Sequence, residues 1–91
     1  MIIKKTDGSV TFEFDQNTAG KVYLAGDFNN WNYSATPLKK TPKGTYRVTL
    51  HLKPGNYQFR YFANHNWYND NNADGLVNNN YGSQNSIVVV E

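Results

Sequence analysis

The sequence predicts an all-β domain, and three observations support this. Apolar and polar residues alternate with a period of two in several short segments, as in Val10-Thr11-Phe12-Glu13-Phe14. Turn-forming pairs such as Asp7-Gly8 and Pro54-Gly55 separate these segments. No window of helical length shows a period of 3.6 residues. Short alternating strands between regular turns are typical of an immunoglobulin-like antiparallel β-sandwich.

The predicted strands follow one another along the chain. After the first come Val22 to Leu24, Tyr46 to Leu52 and Tyr57 to Tyr61, and Ile87 to Val90 is apolar on both faces, as a strand covered on both sides would be. Further turns are predicted at Thr18-Ala19-Gly20 and Pro42-Lys43-Gly44. We expect about seven or eight strands, with one helical turn near Phe28 to Trp31. The side chains expected to face inward are Val10, Phe12, Val22, Leu24, Val48, Leu50, Phe59 and Val88.

Composition limits the classes of function. A length of 91 residues predicts a single domain over 1–91. The 38% of hydrophobic residues are too many for a disordered chain and too few for a membrane protein. The net charge of +2 comes from scattered basic residues, so neither nucleic acid nor a membrane is an expected partner. Cysteine is absent, and no signal peptide is visible, so a cytoplasmic location is expected unless the sequence is a mature form or an excised module.

The acidic side chains do not predict an enzyme. Glycoside hydrolysis needs two carboxyl groups that face each other across a sugar in a cleft, and a sandwich of this size has little room for one. His51 and His65 have no nearby partner in a triad-like or metal-like spacing. We therefore expect no catalytic residue and no cofactor. The seven carboxylates, most of them at turns or strand ends, are Asp7, Glu13, Asp15, Asp27, Asp70, Asp74 and Glu91.

One segment carries half of a calcium-loop motif. Residues 70–75, DNNADG, match the opening D-x-N-x-D-G of such a loop. The twelfth position should be a bidentate Glu, but here it is Tyr81, and flanking helices are not predicted. The alternative is that Asp70 and the asparagines fold the loop through Asx-type hydrogen bonds. No metal site is predicted, although the sequence leaves metal binding at Asp70 to Asp74 open.

The aromatic residues give the strongest functional signal. Trp31 and Trp67 lie in polar, Asn-rich loops, over residues 26–38 and 64–86, whereas a core tryptophan normally lies on a strand among apolar neighbours. Such a tryptophan either staples its loop to the core or faces a ligand. A sugar ring suits the second role, because its C–H groups stack on an aromatic face while amides bind the hydroxyls without desolvating a charge.

Several segments resemble one known family. Residues 22–31 (VYLAGDFNNW) are similar to the signature of the isoamylase-type early-set domains, carbohydrate-binding module family 48, and the similarity continues through 35–38 (ATPL), 52–61 (LKPGNYQFRY), 67–70 (WYND) and 82–90 (GSQNSIVVV). The family includes N-terminal domains of glycogen branching and debranching enzymes and the glycogen-binding domain of the AMP-activated protein kinase beta subunit. Residues 67–74 and the closing segment look closest to small stand-alone bacterial early-set proteins.

The resemblance implies a ligand and a set of binding residues. In glycogen-binding members, two tryptophans stack on glucose units, and a basic side chain and an asparagine bind hydroxyl groups. Those positions correspond here to Trp31, Trp67, Arg60 and Asn85, and Tyr81 corresponds to a leucine that inserts into the glucan helix. One departure from the family pattern is 64–66 (NHN), where many members have Asp-Gly before the second tryptophan.

Two functions follow from the resemblance. The first is non-catalytic binding of an α-1,4-linked glucan, namely glycogen, starch or malto-oligosaccharide. The second is a protein-interaction or structural role, in which the domain packs against an amylolytic or glycogen-metabolising enzyme and binds no sugar. The Asn-rich surroundings of Trp31 and Trp67 favour the first.

Overall fold

The described residues form two antiparallel sheets that pack face to face. A computed structural model describes residues 1–15 and 20–91. In chain order, the strands of the described residues are β1 (Ile2–Lys4), β2 (Ser9–Phe14), β3 (Val22–Gly26), β4 (Lys39–Lys40), β5 (Tyr46–His51), β6 (Gly55–Ala63), β7 (Asn66–Tyr68), β8 (Gly75–Asn78) and β9 (Gln84–Val90). The first sheet has the order β1-β2-β5-β4 and the second β3-β6-β9-β8, with β7 also paired to β6. The predicted all-β sandwich is confirmed.

Aromatic rings join the two sheets. Phe12 on β2 meets Phe59 on β6 edge to face, with ring centroids 5.0 Å apart. One step along the same strands, Phe14 lies 5.1 Å from Tyr61. All four side chains are buried, and apolar burial of this kind is the main favourable term in folding.

The inward faces follow the predicted alternation. Six of the eight side chains expected inside are at most 1% exposed: Val10, Phe12, Val22, Leu24, Phe59 and Val88. The other two, Val48 and Leu50, are half-buried and pack against the core. On β9, Val88 and Val90 are buried while Ile87 and Val89 are half-buried, so the outer face of this strand is covered less fully than the apolar run predicts.

Two features of the long loops differ from the prediction. The Asn-rich segment 64–86 is not a continuous loop, because β7 and β8 lie within it. Asparagine is disfavoured in strands, but pairing with β6 and β9 outweighs that preference. The helical turn is a 3₁₀ turn at Asp27–Asn29, slightly before the predicted position. Most of the predicted turn at Thr18-Ala19-Gly20 lies outside the described residues.

The structure adds one finding on membranes. Over the described ranges, 1–15 and 20–91, no helix has the length and apolar character needed to cross a bilayer.

Candidate functional site

The outer face of the second sheet carries an open pocket of about 740 Å³. All five predicted site residues line this pocket, so the fold brings together side chains that lie up to 54 positions apart in the chain. The other lining side chains are all uncharged and polar. The full lining consists of Trp31, Gln58, Arg60, Trp67, Asn78, Asn79, Asn80, Tyr81, Ser83 and Asn85.

Strand β6 forms the floor of the pocket. Phe59 and Tyr61 point into the core, so the alternation of the strand turns Gln58 and Arg60 to the outer face. Asn85 lies beside them on β9, next to Ser86, which pairs with Phe59. The floor is therefore built from an amide, a guanidinium and a second amide.

A network of side-chain hydrogen bonds holds the Trp31 loop. The indole Nε1 of Trp31 donates to Oδ1 of Asp27 at 3.0 Å, and the other carboxylate oxygen of Asp27 accepts from the Gln58 backbone N–H at 2.8 Å. Asn29 accepts from the Gly26 N–H at 3.0 Å and donates to the Leu24 carbonyl at 2.9 Å. Asn29 also donates to the Thr36 hydroxyl. These bonds tie both ends of the loop to the sheet.

Backbone conformation and close packing complete the loop. Asn30 and Trp31 both have φ near +58°, a left-handed conformation that is uncommon for a bulky side chain and costs free energy. Phe28 anchors the turn against Phe12, with ring centroids 5.6 Å apart. At Gly26 a Cβ atom would lie 2.5 Å from the Gln58 carbonyl oxygen, so only glycine fits between β3 and β6. These contacts and backbone conformations explain the residues found at positions 26–31 (GDFNNW).

Trp67 is held by strand pairing. It lies on β7 directly opposite Phe62, with ring centroids 4.8 Å apart. The hairpin turn between β6 and β7 is Asn64-His65, and both residues have positive φ, as a type I′ turn requires. Glycine is favoured at the second of these positions, and here it is His65. The turn forms although it lacks the Asp-Gly of many family members. Trp67 lies on the outer face, where it is 38% exposed.

Arg60, in the pocket floor, lies beside Trp67. Its guanidinium carbon is 5.8 Å from the centre of the Trp67 ring, within the range of a cation–π contact. Its Nη1 donates to the Ser83 hydroxyl at 3.4 Å, and its Nε is buried with no acceptor in the described part of the chain. Burial lowers the pKa of Arg60, although an arginine remains a cation in proteins.

Tyr81 lies at the tip of the loop between β8 and β9. Asn79 organises this loop, because its Oδ1 accepts from the N–H groups of Tyr81 and Ser83 at 2.9 and 3.2 Å. The backbone N–H of Asn79 also donates to the Ser83 carbonyl. Tyr81 itself is 91% exposed, so its ring adds contact area to the pocket rim without supporting the core.

Asn85 is the most enclosed of the predicted site residues, at 8% exposed. Its Oδ1 accepts from Nδ2 of Asn79 at 3.0 Å, and its own Nδ2 donates to Oε1 of Gln58 at 3.1 Å. Each Asn side chain can make more than these bonds, but the two contacts fix the orientation of three neighbouring amides. Asn85 thus organises the pocket floor as well as lining it.

Sequence reasoning missed several residues of the pocket. Gln58 could have been found, because it shares the outer face of β6 with Arg60. Asp27 lies inside the recognised segment, and its role depends on contacts that spacing does not show. Asn79 and Ser83 fall in a run of similar polar residues, where nothing in the sequence distinguishes one from another.

The half calcium motif has a different structural role. The carboxylate of Asp70 is buried and accepts from the Tyr61 hydroxyl at 2.7 Å, and its Oδ1 accepts from the Asn72 N–H at 2.8 Å. Asp74 binds Lys4 and the Val89 N–H. Among the described residues, no three His, Cys, Asp or Glu side chains group together as metal ligands do. The bond between the Asn72 N–H and Asp70 is an Asx-type hydrogen bond, as the alternative expects for Asp70.

The fold and the pocket point to a carbohydrate-binding domain. An antiparallel β-sandwich presents tryptophans, an arginine and several amides on its outer face. A family model described as the glycogen recognition site of AMP-activated protein kinase matches residues 8–91. The chain belongs to this family, which confirms the resemblance seen in the sequence.

Two plant proteins are similar to the chain. Protein FLOURY ENDOSPERM 6, chloroplastic, from Oryza sativa subsp. japonica is 34% identical over 74 residues, which cover 81% of this chain. Protein PTST homolog 2, chloroplastic, from Arabidopsis thaliana is 31% identical over 51 residues, or 56% of this chain. The matched regions span 13% and 9% of these relatives, so the similarity concerns one small part of each.

Proposed function

We propose that residues 1–91 act as one binding domain for α-1,4-linked glucan, such as glycogen, starch or malto-oligosaccharide. The observation that carries this proposal is the convergence of Trp31, Trp67, Tyr81, Arg60 and Asn85 on one pocket of the outer sheet face. In the proposed complex, the aromatic rings stack on glucose units, and Arg60 and the floor amides donate to the hydroxyl groups.

The pocket favours binding without catalysis. Among the described residues, none that lines it carries a carboxylate or an imidazole. Hydrolysis by a pair of acids would need such groups on both sides of the glycosidic bond. Asp27 lies in the Trp31 loop, and both of its carboxylate oxygens already accept hydrogen bonds. One accepts from the Trp31 indole N–H and the other from the Gln58 backbone N–H. Incubation with soluble starch should therefore release no reducing ends above a buffer control.

Affinity should be modest, because the pocket is open to solvent. Each aromatic stack should contribute about 1–2 kcal/mol. For a site of this kind we expect a Kd on the order of 10 μM to 1 mM, or roughly −7 to −4 kcal/mol. Because the total binding free energy is small, the loss of one aromatic stack should weaken the measured affinity clearly.

The decisive experiment is a titration of the domain with malto-oligosaccharide, with a cellulose oligosaccharide as the β-linked control. Trp31→Ala and Trp67→Ala should each abolish detectable binding and leave the fold intact. Leu76→Ala is a matched control, since Leu76 is 53% exposed and does not line the pocket. Tryptophan variants that unfold the domain, or that bind glucan as well as the wild type, would contradict the proposal.

The exposed aromatic rings also suit a second function, docking to another protein. Tyr81 and Tyr33 are 91% and 56% exposed, and an exposed aromatic patch also suits docking to a protein such as an amylolytic or glycogen-metabolising enzyme. Failure to bind any glucan, with the fold intact, would make this the better account. A cytoplasmic location remains a prediction, whereas the names of both relatives describe them as chloroplastic.

A further inference from the structure

A row of aromatic rings continues beyond the pocket on the outer face of the second sheet. Trp67 lines the pocket, and its ring contacts that of Phe62, which in turn contacts the ring of Tyr33. The Tyr33 and Phe62 ring centroids are 5.1 Å apart in an edge-to-face arrangement. Neither Phe62 nor Tyr33 belongs to the pocket lining. The apolar surface that Trp67 offers to a ligand therefore extends past the edge of the pocket.

Tyr33 contributes little to the packing of the fold. Its side chain is 56% exposed, it is absent from the core cluster, and its hydroxyl has no hydrogen bond within residues 1–15 and 20–91. The local backbone is held by Asn32, whose Oδ1 accepts from both the N–H and the hydroxyl of Ser34 at 3.0 Å. The Ala35 N–H also donates to the Asn32 carbonyl. A large ring thus stands exposed on a turn that other residues fix.

From this arrangement we propose that Tyr33, supported by Phe62, forms an additional glucan subsite that only longer chains reach. The inference rests on the glucan-binding function proposed above. A chain that occupies the Trp67 stack and extends along the aromatic row would place a further glucose unit against Tyr33. The ring then supplies apolar contact, and the free phenol hydroxyl can donate to or accept from a sugar hydroxyl. The domain would consequently prefer long α-glucan chains over short ones.

The test compares a short ligand with a long one. Wild type and Tyr33→Ala are titrated with maltotetraose and maltodecaose under the same conditions. Tyr33→Ala should weaken maltodecaose binding about three- to tenfold, the fold-change that corresponds to one aromatic contact, and should change maltotetraose binding less than twofold. Tyr33→Phe should retain most of the advantage of the long chain, since it keeps the ring and removes only the hydroxyl.

Controls separate the subsite from indirect effects. Ile3→Ala, which removes a 37% exposed apolar side chain from the other sheet, should leave the affinity for both ligands unchanged. An equal loss for both ligands in Tyr33→Ala would overturn the inference, because Tyr33 would then support the pocket and not extend it. No loss for either ligand would overturn it as well. Absence of binding of both ligands by the wild type would overturn the glucan-binding proposal and this inference with it.

Discussion

The two tryptophans of the pocket are held in different ways. Trp31 lies in a loop. Its position depends on the hydrogen bond that its indole donates to Asp27, on the side-chain hydrogen bonds of Asn29 and on left-handed backbone at Trp31 itself. Trp67 lies on β7, and its position depends on backbone pairing with Phe62 across a two-residue turn. The first anchor therefore requires particular residues, whereas the second requires only a strand register and a turn that closes.

The largest expected effect is on the anchor of Trp31. Gly26→Ala would place a Cβ 2.5 Å from the Gln58 carbonyl oxygen and 2.9 Å from Cβ of Phe59, and a backbone atom cannot move aside easily. We expect a loss in the free energy of unfolding of about 1–3 kcal/mol or more, together with loss of glucan binding. Urea denaturation followed by tryptophan fluorescence measures the first quantity.

A second glycine provides the matched control for that variant. Gly75 has no positive φ, and a Cβ there would meet only Cδ1 of Ile87, at an ordinary contact distance of 3.9 Å. Gly75→Ala should change the free energy of unfolding by less than about 1 kcal/mol. Similar losses in Gly26→Ala and Gly75→Ala would show that close approach of β3 and β6 is not what makes Gly26 necessary.

Asp27→Ala tests whether the orientation of Trp31 matters as well as its presence. The substitution removes the acceptor of the indole N–H and the acceptor of the Gln58 N–H, but keeps the ring. We expect malto-oligosaccharide affinity to fall about three- to tenfold, the effect of a hydrogen bond of about 1 kcal/mol, with a comparable loss of stability. Asp27→Asn, which retains one carbonyl oxygen, should lie between wild type and Asp27→Ala. Unchanged affinity in both variants would show that Trp31 needs no anchor.

The contrast between the two tryptophans also marks what the sequence could predict. Alternation identifies the inward faces of β2, β3 and β6, because burial of one face imposes a period of two. The tryptophans were found because each interrupts a polar segment. Strands β7 and β8 were missed because asparagine hides their pattern, and tertiary pairing overrides that preference. Contacts such as those of Asn79 and Asp27 depend on distances between separate segments, which periodicity does not encode.

His65→Gly tests the anchor of Trp67 from the opposite direction. His65 has φ of 63° in the turn between β6 and β7, a conformation that costs a side chain with a Cβ roughly 1 kcal/mol and costs glycine nothing. The variant should gain up to about 1 kcal/mol in unfolding free energy, reduced by the greater freedom of glycine in the unfolded chain. Calorimetry should show a higher Tm, and glucan affinity should remain unchanged.

Asn64→Gly is the internal comparison for that turn. Asparagine tolerates left-handed backbone better than most residues, so its replacement by glycine relieves less strain. We expect a smaller increase in Tm than in His65→Gly, or a small decrease. A lower Tm in His65→Gly than in wild type would mean that the imidazole contributes more than the strain costs.

The smallest expected effect concerns acid, and it lies away from both tryptophans. Burial opposes ionisation of Asp74, but hydrogen bonds from Lys4 and the Val89 N–H outweigh it and lower the pKa of Asp74 below its ordinary value of 3.8. Because the folded state then binds the proton less readily than the unfolded state, this stabilisation is present above pH 3.8 and is lost as the pH falls through the lower, folded-state value. The pair is partly exposed, so the contribution should be a few tenths of a kcal/mol.

Denaturation at several pH values measures this contribution. Between pH 5 and pH 3, the free energy of unfolding should depend less on pH in Asp74→Asn than in wild type. Part of the pH dependence should remain in Asp74→Asn, because hydrogen bonds from Ser9 lower the pKa of the Asp7 carboxyl as well. Glucan affinity should show no corresponding change between about pH 5 and pH 9, since none of the described residues that line the pocket is a carboxylic acid or a histidine. A bell-shaped or stepped affinity profile over that range would mean that a titrating side chain outside the lining reaches the ligand.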